Sequence, residues 1–346
     1  MRIGVDGKSL LQPHGGVGRY INGLLAGCEA VPHPDIDLEV LTPTRPRRTL
    51  PWVLFDLQRA TGHGFGLFHL PFYYPPLWPR CPFTVAIHDV LVLEHPEWFP
   101  RAWGSPLRRL MPRGARRASA VMTGSPSVAA AIVERCRVAP EKIHITGYGV
   151  DHRRFVPPAP DTADAVRADL NLKRPFVLQL GALEPRRGVD LAIAAVRALR
   201  RRLPDLELIL VGDIRAPVAD LDHAPGWVRR IGGVDDAILP ALFAAAEAIL
   251  APSRGEGFDL PVLEALACGA VVVASDIPVH REHFAAAVEL FASGNAEALT
   301  VAITSVLEDS ARALALRTAG PRVAAAFTWE EVARRHLELW REVGHG

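Results

Sequence analysis

Short apolar runs alternate with stretches of helical periodicity along the chain, and the alternation forms two series. The first contains "IGVDG", "IDLEVLT", "FGLFHLP", "FTVAIHDV", "SAVMTGS" and "KIHITGY", with the helical "GVGRYINGLLAGCEA" after the first run. The second contains "FVLQLGAL", "LELILVGD", "AILAPS" and "AVVVASD", separated by "GVDLAIAAVRALRRRLPD", "DDAILPALFAAAEA" and "LPVLEALACG". Continuous apolar strands divided by helices predict parallel sheets covered on both faces. The expected class is α/β, with two doubly wound domains.

Prolines cluster and apolar periodicity stops in "DHRRFVPPAPDTADAVRADLNLKRP", which marks a linker near residues 152–174. The predicted domains are 1–155 and 156–327. "TWEEVARRHLELWREV" opens with Thr328 and carries Glu331 three residues on, a capping-box pattern for a C-terminal helix over 328–346. Open α/β sheets bind ligands outside the carboxyl ends of their strands, so two domains facing one another predict a cleft lined by loops of both.

Composition narrows the function classes. A length of 346 residues suits two domains, and a hydrophobic fraction of 49% supplies both cores. A net charge of +1 gives no sign of a nucleic-acid partner. Cys28, Cys81, Cys136 and Cys268 are scattered, with no metal-ligand spacing, and read as reduced thiols of a cytosolic protein. "MRIGVDGKSLL" begins with a strand rather than a leader pattern, so no secretion signal is expected. No apolar run approaches the ~20 residues that cross a bilayer. Any membrane contact is then peripheral. "FPRAWGSPLRRLMPRGARRAS" places Arg101, Arg108, Arg109, Arg113, Arg116 and Arg117 among Trp98, Phe99, Trp103, Leu107, Leu110 and Met111, which suits an anionic membrane surface and equally a solvated helix flank.

The most chemical stretch is "SRGEGFDLPVLEALACG". It reads as the exit loop of a buried strand followed by a helix, with Asp259 as N-cap and Pro261 in the first turn. Backbone N–H groups of Gly257, Phe258, Asp259 and Leu260 would then face an anionic or hydroxyl-rich ligand. Glu256 and Glu264 are spaced to reach separate parts of one extended ligand through paired hydroxyls, though the same spacing fits a solvated loop residue and a helix-dipole partner. In "LGALEPRRGVDLAI", Arg186 and Arg187 precede Gly188 and a helix, where two guanidiniums suit a diphosphate; a surface turn is the plainer alternative. In the first domain Gly15, Gly16 and Gly18 lie between strand and helix, a weak relative of a phosphate-binding turn. His88 and Asp89 end a buried strand, where His88 suits donation to a phosphate or sugar, proton transfer, or a purely structural hydrogen bond.

Together these segments resemble family 4 retaining glycosyltransferases, whose GT-B fold has two facing Rossmann-like domains with an interdomain cleft. The likeness is most specific in "LGALEPRRGVDLAI" and in "VDDAILPALFAAAEAILAPSRGEGFDLPVLEALACGAVVVASDIPVHRE", which is similar to the family's E-x7-E donor segment. "GGVGRY", "IHDVLVLEHPEWF", "GYGVDHRRF" and "FTWEEVARRHLELWREV" match weaker patterns in the same order. The resemblance implies that Arg186 and Arg187 hold the donor diphosphate, Glu264 the nucleotide ribose and Glu256 the transferred sugar, aided by backbone N–H groups of Gly257, Phe258 and their neighbours Asp259 and Leu260. It implies that Gly15 or Gly16 faces the diphosphate, that His88 lies near sugar and acceptor, and that the C-terminal helix crosses back onto the first domain. Four positions depart from the family pattern: Arg187 replaces a lysine, Ala182 a basic residue found in some relatives, Asp259 a frequent glycine and Pro126 a common acid.

The implied reaction is retaining transfer of a hexose from a nucleotide sugar to a glycan or lipid-linked acceptor, without metal or other cofactor. "HDV…PEW" and "LEPRRG" resemble variants in bacterial mannosyltransferases of polysaccharide biosynthesis, which makes GDP-mannose the first expected donor, with UDP- and dTDP-sugars as alternatives. The implied location is cytoplasmic, at the inner face of the cell membrane. Competing readings are a GT-B nucleotide-sugar epimerase, a phosphorylase and an inactive sugar-binding partner. A pyridoxal-phosphate phosphorylase needs a cofactor lysine, and Lys173 at the linker is the one lysine of the second half.

Overall fold

Six apolar segments of the first half form one parallel sheet: β1 (Arg2–Asp6), β2 (Asp37–Leu41), β3 (Leu67–Leu70), β4 (Phe83–Ala86), β5 (Ala120–Thr123) and β6 (Ile143–Ile145), in the spatial order β2-β1-β3-β4-β5-β6. The second half repeats this with β7 (Phe176–Leu180), β8 (Glu207–Val211), β9 (Val228–Ile231), β10 (Ala248–Ala251), β11 (Val272–Ser275) and β12 (Glu289–Phe291), in the order β12-β11-β10-β7-β8-β9, also all parallel. This computed structural model describes residues 1–11, 15–43, 52–74, 76, 78–159, 161–218, 221 and 223–344. The chain divides into one unit of residues 1–149 with 327–346 and another of residues 150–326.

Strands β3, β4, β5, β8, β10 and β11 are buried along their whole length. Helices cover both faces of such strands, and this removes the polar alternation of a one-sided sheet. In the first unit Phe68, Phe83, Val85 and Val121 pack with Leu107, Met111 and Ile132 from flanking helices. In the second, Val177, Leu208 and Val273 share a core with Val189, Ile193, Val196 and Ile303.

The C-terminal helix Trp329–Gly344 lies against the helix Gly16–Ala30 of the first unit. Small residues permit the approach: a Cβ on Gly23 would stand 2.0 Å from the Trp329 ring, and one on Gly27 2.2 Å from its carbonyl oxygen. Thr328 Oγ1 accepts from Glu331 N–H at 3.2 Å, half of the expected capping box. The Glu331 carboxylate turns instead to Arg334 and Arg335, so a pair of guanidiniums wins over the neutral backbone donor.

Two elements differ from expectation. The segment read as linker contains the helix Thr162–Asp169, which buries only Val166 and so shows no apolar stripe. The arginine-rich stretch is the helix Arg101–Arg117, with Pro106 and Pro112 inside it. Its Leu107 and Met111 are core residues, while Arg101, Arg108, Arg109, Arg113, Arg116 and Arg117 are exposed. The Trp103 side chain lies outside the described residues.

Candidate functional site

Strand order places the second unit's site. The chain leaves β7 toward β8 on one side and returns through β10 on the other, so β7 and β10 flank the topological switch point. Loops following such a pair diverge and leave a crevice at the carboxyl end of the sheet. Here those loops are 181–188 and 252–259, the two stretches singled out by their chemistry. They touch directly: Arg254 N–H donates to Arg186 O at 2.7 Å, and Arg254 grips Asp190 with two bonds of 2.9 and 2.6 Å. Gly188 is required at this junction, because its φ is +65° and a Cβ would lie 2.1 Å from Pro252 O.

The loops carry an ion cluster. Glu256 Oε2 meets Arg186 Nη1 at 2.8 Å, and its Oε1 meets Arg187 Nη1 at 2.9 Å while accepting from Ser253 Oγ at 2.8 Å. Glu184 lies 2.7 Å from Arg186 Nε, and Asp259 lies 3.1 Å from Arg187 Nη1. Buried His280 completes the chain of contacts, with Nε2 3.1 Å from Asp259 Oδ2 and Nδ1 2.8 Å from Ser275 O. Arg187 Nε and Gln179 Oε1, a donor and an acceptor without protein partners, both belong to side chains lining a cavity of about 10 Å³. That is roughly the room one bridging water needs.

Asp259 departs from the role expected of it. It holds the N-cap position of the helix Leu260–Ala267, but at φ 74°, ψ 66°, and its carboxylate caps nothing. Burial pushes its pKa up, yet the Arg187 charge and the His280 bond outweigh this and hold it down at about 2. The tertiary ion pairs, not the local cap, decide where the side chain points.

The remaining predicted residues of this unit lie along the same loop and helix. Phe258 buries its ring against Phe284 and His283. Leu260 opens the helix, and Glu264 is buried at 4% exposure one turn further on. Glu184, Ser253 and His280 belong to the cluster and were not picked out from the sequence. No local pattern marks them, since the contacts of His280 with Asp259 and Ser275 form only once β11 is in place.

The residues predicted in the first unit form no comparable charge cluster. Gly15 caps the helix Gly16–Ala30 in extended conformation, and a Cβ on Gly16 would meet nothing within 4 Å, so neither glycine is demanded by backbone strain. His88 is fully engaged: Nε2–H donates to Pro71 O at 2.8 Å and Nδ1 accepts from Tyr148 O–H at 2.5 Å. Burial lowers its pKa, which favours that neutral form. Its neighbour Asp89 accepts from Tyr73 O–H and from Leu91 N–H, both at 3.0 Å.

The family model "Glycosyltransferase Family 4" matches residues 14–154, and "Glycosyl transferases group 1" matches residues 162–323. The O-antigen chain mannosyltransferase B of Escherichia coli is 26% identical over 307 residues, covering 86% of this chain and 77% of that protein. Matches to further curated relatives span about half of those proteins' length. Among solved structures, sucrose-phosphate synthase from Thermosynechococcus elongatus superposes with a TM-score of 0.81 at 21% identity, covering 99% of both chains. Anabaena HepE, solved with UDP and glucose, superposes with a TM-score of 0.77 at 20% identity, covering 99% of this chain and 100% of that one. At these identities the structural likeness establishes the fold, two Rossmann-like units of GT-B type.

Proposed function

The chain belongs to the family 4 glycosyltransferases of GT-B fold, and on that premise we propose that it transfers a hexose from a nucleotide sugar, first of all mannose from GDP-mannose, to a hydroxyl of a glycan or lipid-linked acceptor, with retention at the anomeric carbon. The observation that carries this reading is the pairing of Arg186 and Arg187 with Glu256 at the β7/β10 switch point. Mannose is favoured by the mannosyltransferase relative.

In this reading the guanidiniums of Arg186 and Arg187 stabilise charge growing on the departing diphosphate, aided by the backbone N–H groups of Gly257, Phe258, Asp259 and Leu260. Glu256 accepts from hydroxyls of the hexose, and Glu264 from those of the nucleotide ribose. Gly15 and Gly16 serve the diphosphate through the backbone. His88, whose ring is fixed at both nitrogens, orients Tyr148 and Pro71 near sugar and acceptor rather than carrying the proton itself. As the anomeric C–O bond to the diphosphate breaks, the acceptor oxygen bonds to the same face and its proton passes to the leaving phosphate oxygen. No metal or organic cofactor enters this scheme.

The reaction is read as cytoplasmic, at the inner face of the membrane. No helix among the described residues is long and apolar enough to cross a bilayer. The experiment is a mass-spectrometric panel of GDP-, UDP- and dTDP-sugars with the full chain in a chelator-containing buffer. Turnover of GDP-mannose is expected; turnover of a UDP-sugar alone replaces the donor, and a requirement for added metal overturns the metal-free scheme.

A further inference from the structure

Arg187 is held by more carboxylate than a phosphate-binding arginine needs. Its Nη1 contacts both Glu256 at 2.9 Å and Asp259 at 3.1 Å, its Nε is buried without a protein partner, and its side chain lines the same small cavity as Gln179. The guanidinium packs over Gly181, with Cζ 3.5 Å from where a Cβ of that residue would stand. With Glu184 on Arg186, three carboxylates surround two guanidiniums. An incoming diphosphate meets a cluster whose positive charge is already matched.

Asp259 is the member of that cluster with the highest structural cost. Its φ of 74° is a left-handed conformation that side-chain-bearing residues seldom adopt. Its side chain is 2% exposed and is tethered from behind by His280, itself fully buried. Glu256 also ties down Ser253 and bridges both arginines, so it is integral to the loop, whereas the carboxylate of Asp259 holds Arg187 through one oxygen and His280 through the other.

We propose that Asp259, braced by His280, is a resident counter-ion for Arg187 that competes with the diphosphate of the donor and of the released nucleotide, keeping nucleotide binding weak enough for product to leave. This rests on the glycosyl-transfer reading of the site. Asp259 is thus a tuning residue acting through Arg187, not a group that touches the reacting atoms.

The test is calorimetric titration of GDP, UDP, dTDP and the matching nucleosides guanosine, uridine and thymidine into the full chain and into Asp259→Asn and Asp259→Gly. Both substitutions tolerate positive φ, and glycine removes the backbone cost altogether. The expected result is a Kd for the preferred nucleoside diphosphate about tenfold lower in both variants, equivalent to ~1.4 kcal/mol, with nucleoside binding unchanged. Equal or weaker diphosphate binding in both variants overturns the counter-ion role and leaves the transfer reading intact. A gain shared equally by the nucleosides also overturns it, since loosening rather than charge would then be the cause. If neither the wild-type chain nor either variant binds any of the three diphosphates, the transfer reading fails and the proposal with it.

Discussion

Glu256 ties the loop after β10 to the loop after β7, because its two oxygens serve Arg186, Arg187 and Ser253 at once. Removing its charge while keeping its shape should separate catalysis from folding. Glu256→Gln is expected to retain the Ser253 contact and to lower kcat by about 100-fold or more, the scale on which charge-stabilising groups act in such sites; unchanged turnover would contradict its role at the sugar. Arg186, Arg187 and Glu256 were legible as chemistry because each stands beside a glycine or proline at a strand exit, and Asp259 because it lies two residues before Pro261. Glu184, Ser253 and His280 were not, since their partners are set by sheet order. Asp259 was legible in position and misread in direction: the Arg187 guanidinium and the His280 contact outweigh a backbone cap worth about 1 kcal/mol.

At the scale of elements, the helix Arg101–Arg117 shows what periodicity conveys and what it hides. Its apolar residues Leu107 and Met111 are spent on the first unit's core, and the exposed side chains described on it are mainly arginines. If it meets a membrane it does so by charge. Flotation of the full chain is expected on vesicles with anionic lipid and not on neutral ones, and is expected to be lost near 0.5 M salt, where the Debye length falls to about 4 Å; equal flotation on neutral vesicles would contradict a charge-driven contact. The helix Thr162–Asp169 escaped the sequence reading for a related reason: one buried valine gives no stripe to detect. Strands buried on both faces were easy to read, whereas β9, with a single buried residue, gave little pattern.

Across the whole molecule, the alternation of strands and helices predicted the two parallel sheets, but not the strand order that creates the β7/β10 switch point. Order depends on which crossovers turn back, and local patterns do not carry that. The first unit should also be acid-sensitive. His69 and His336 are buried and His88 is half-buried, and desolvation lowers the pKa of each, that of His336 to about 4. His336 Nδ1–H donates to Val332 O and its Nε2 accepts from Tyr20 O–H, both at 2.7 Å, which fixes it neutral. The unfolded chain binds protons at these histidines below pH ~6.5 and the folded chain does not, so stability falls as pH drops from 7 toward 4, by ~1.4 kcal/mol per unit for each unbalanced proton. Asp6 opposes this, because burial raises its pKa to about 6 and the folded chain takes up its proton first. Three histidines outweigh one carboxyl. Urea unfolding followed by tryptophan fluorescence is expected to show lower stability at pH 5 than at pH 7, and His336→Phe a flatter dependence; a pH-independent midpoint would contradict the account.

The central claim is that the switch-point cluster of the second unit supports retaining transfer from a nucleotide sugar. Its most direct test is the anomeric configuration of the product, read by NMR, when the full chain is given GDP-mannose and a mannose-bearing acceptor. The account predicts release of GDP together with an α-linked product, matching the α configuration of the donor. A β-linked product, or conversion of the donor with no acceptor present, would contradict it.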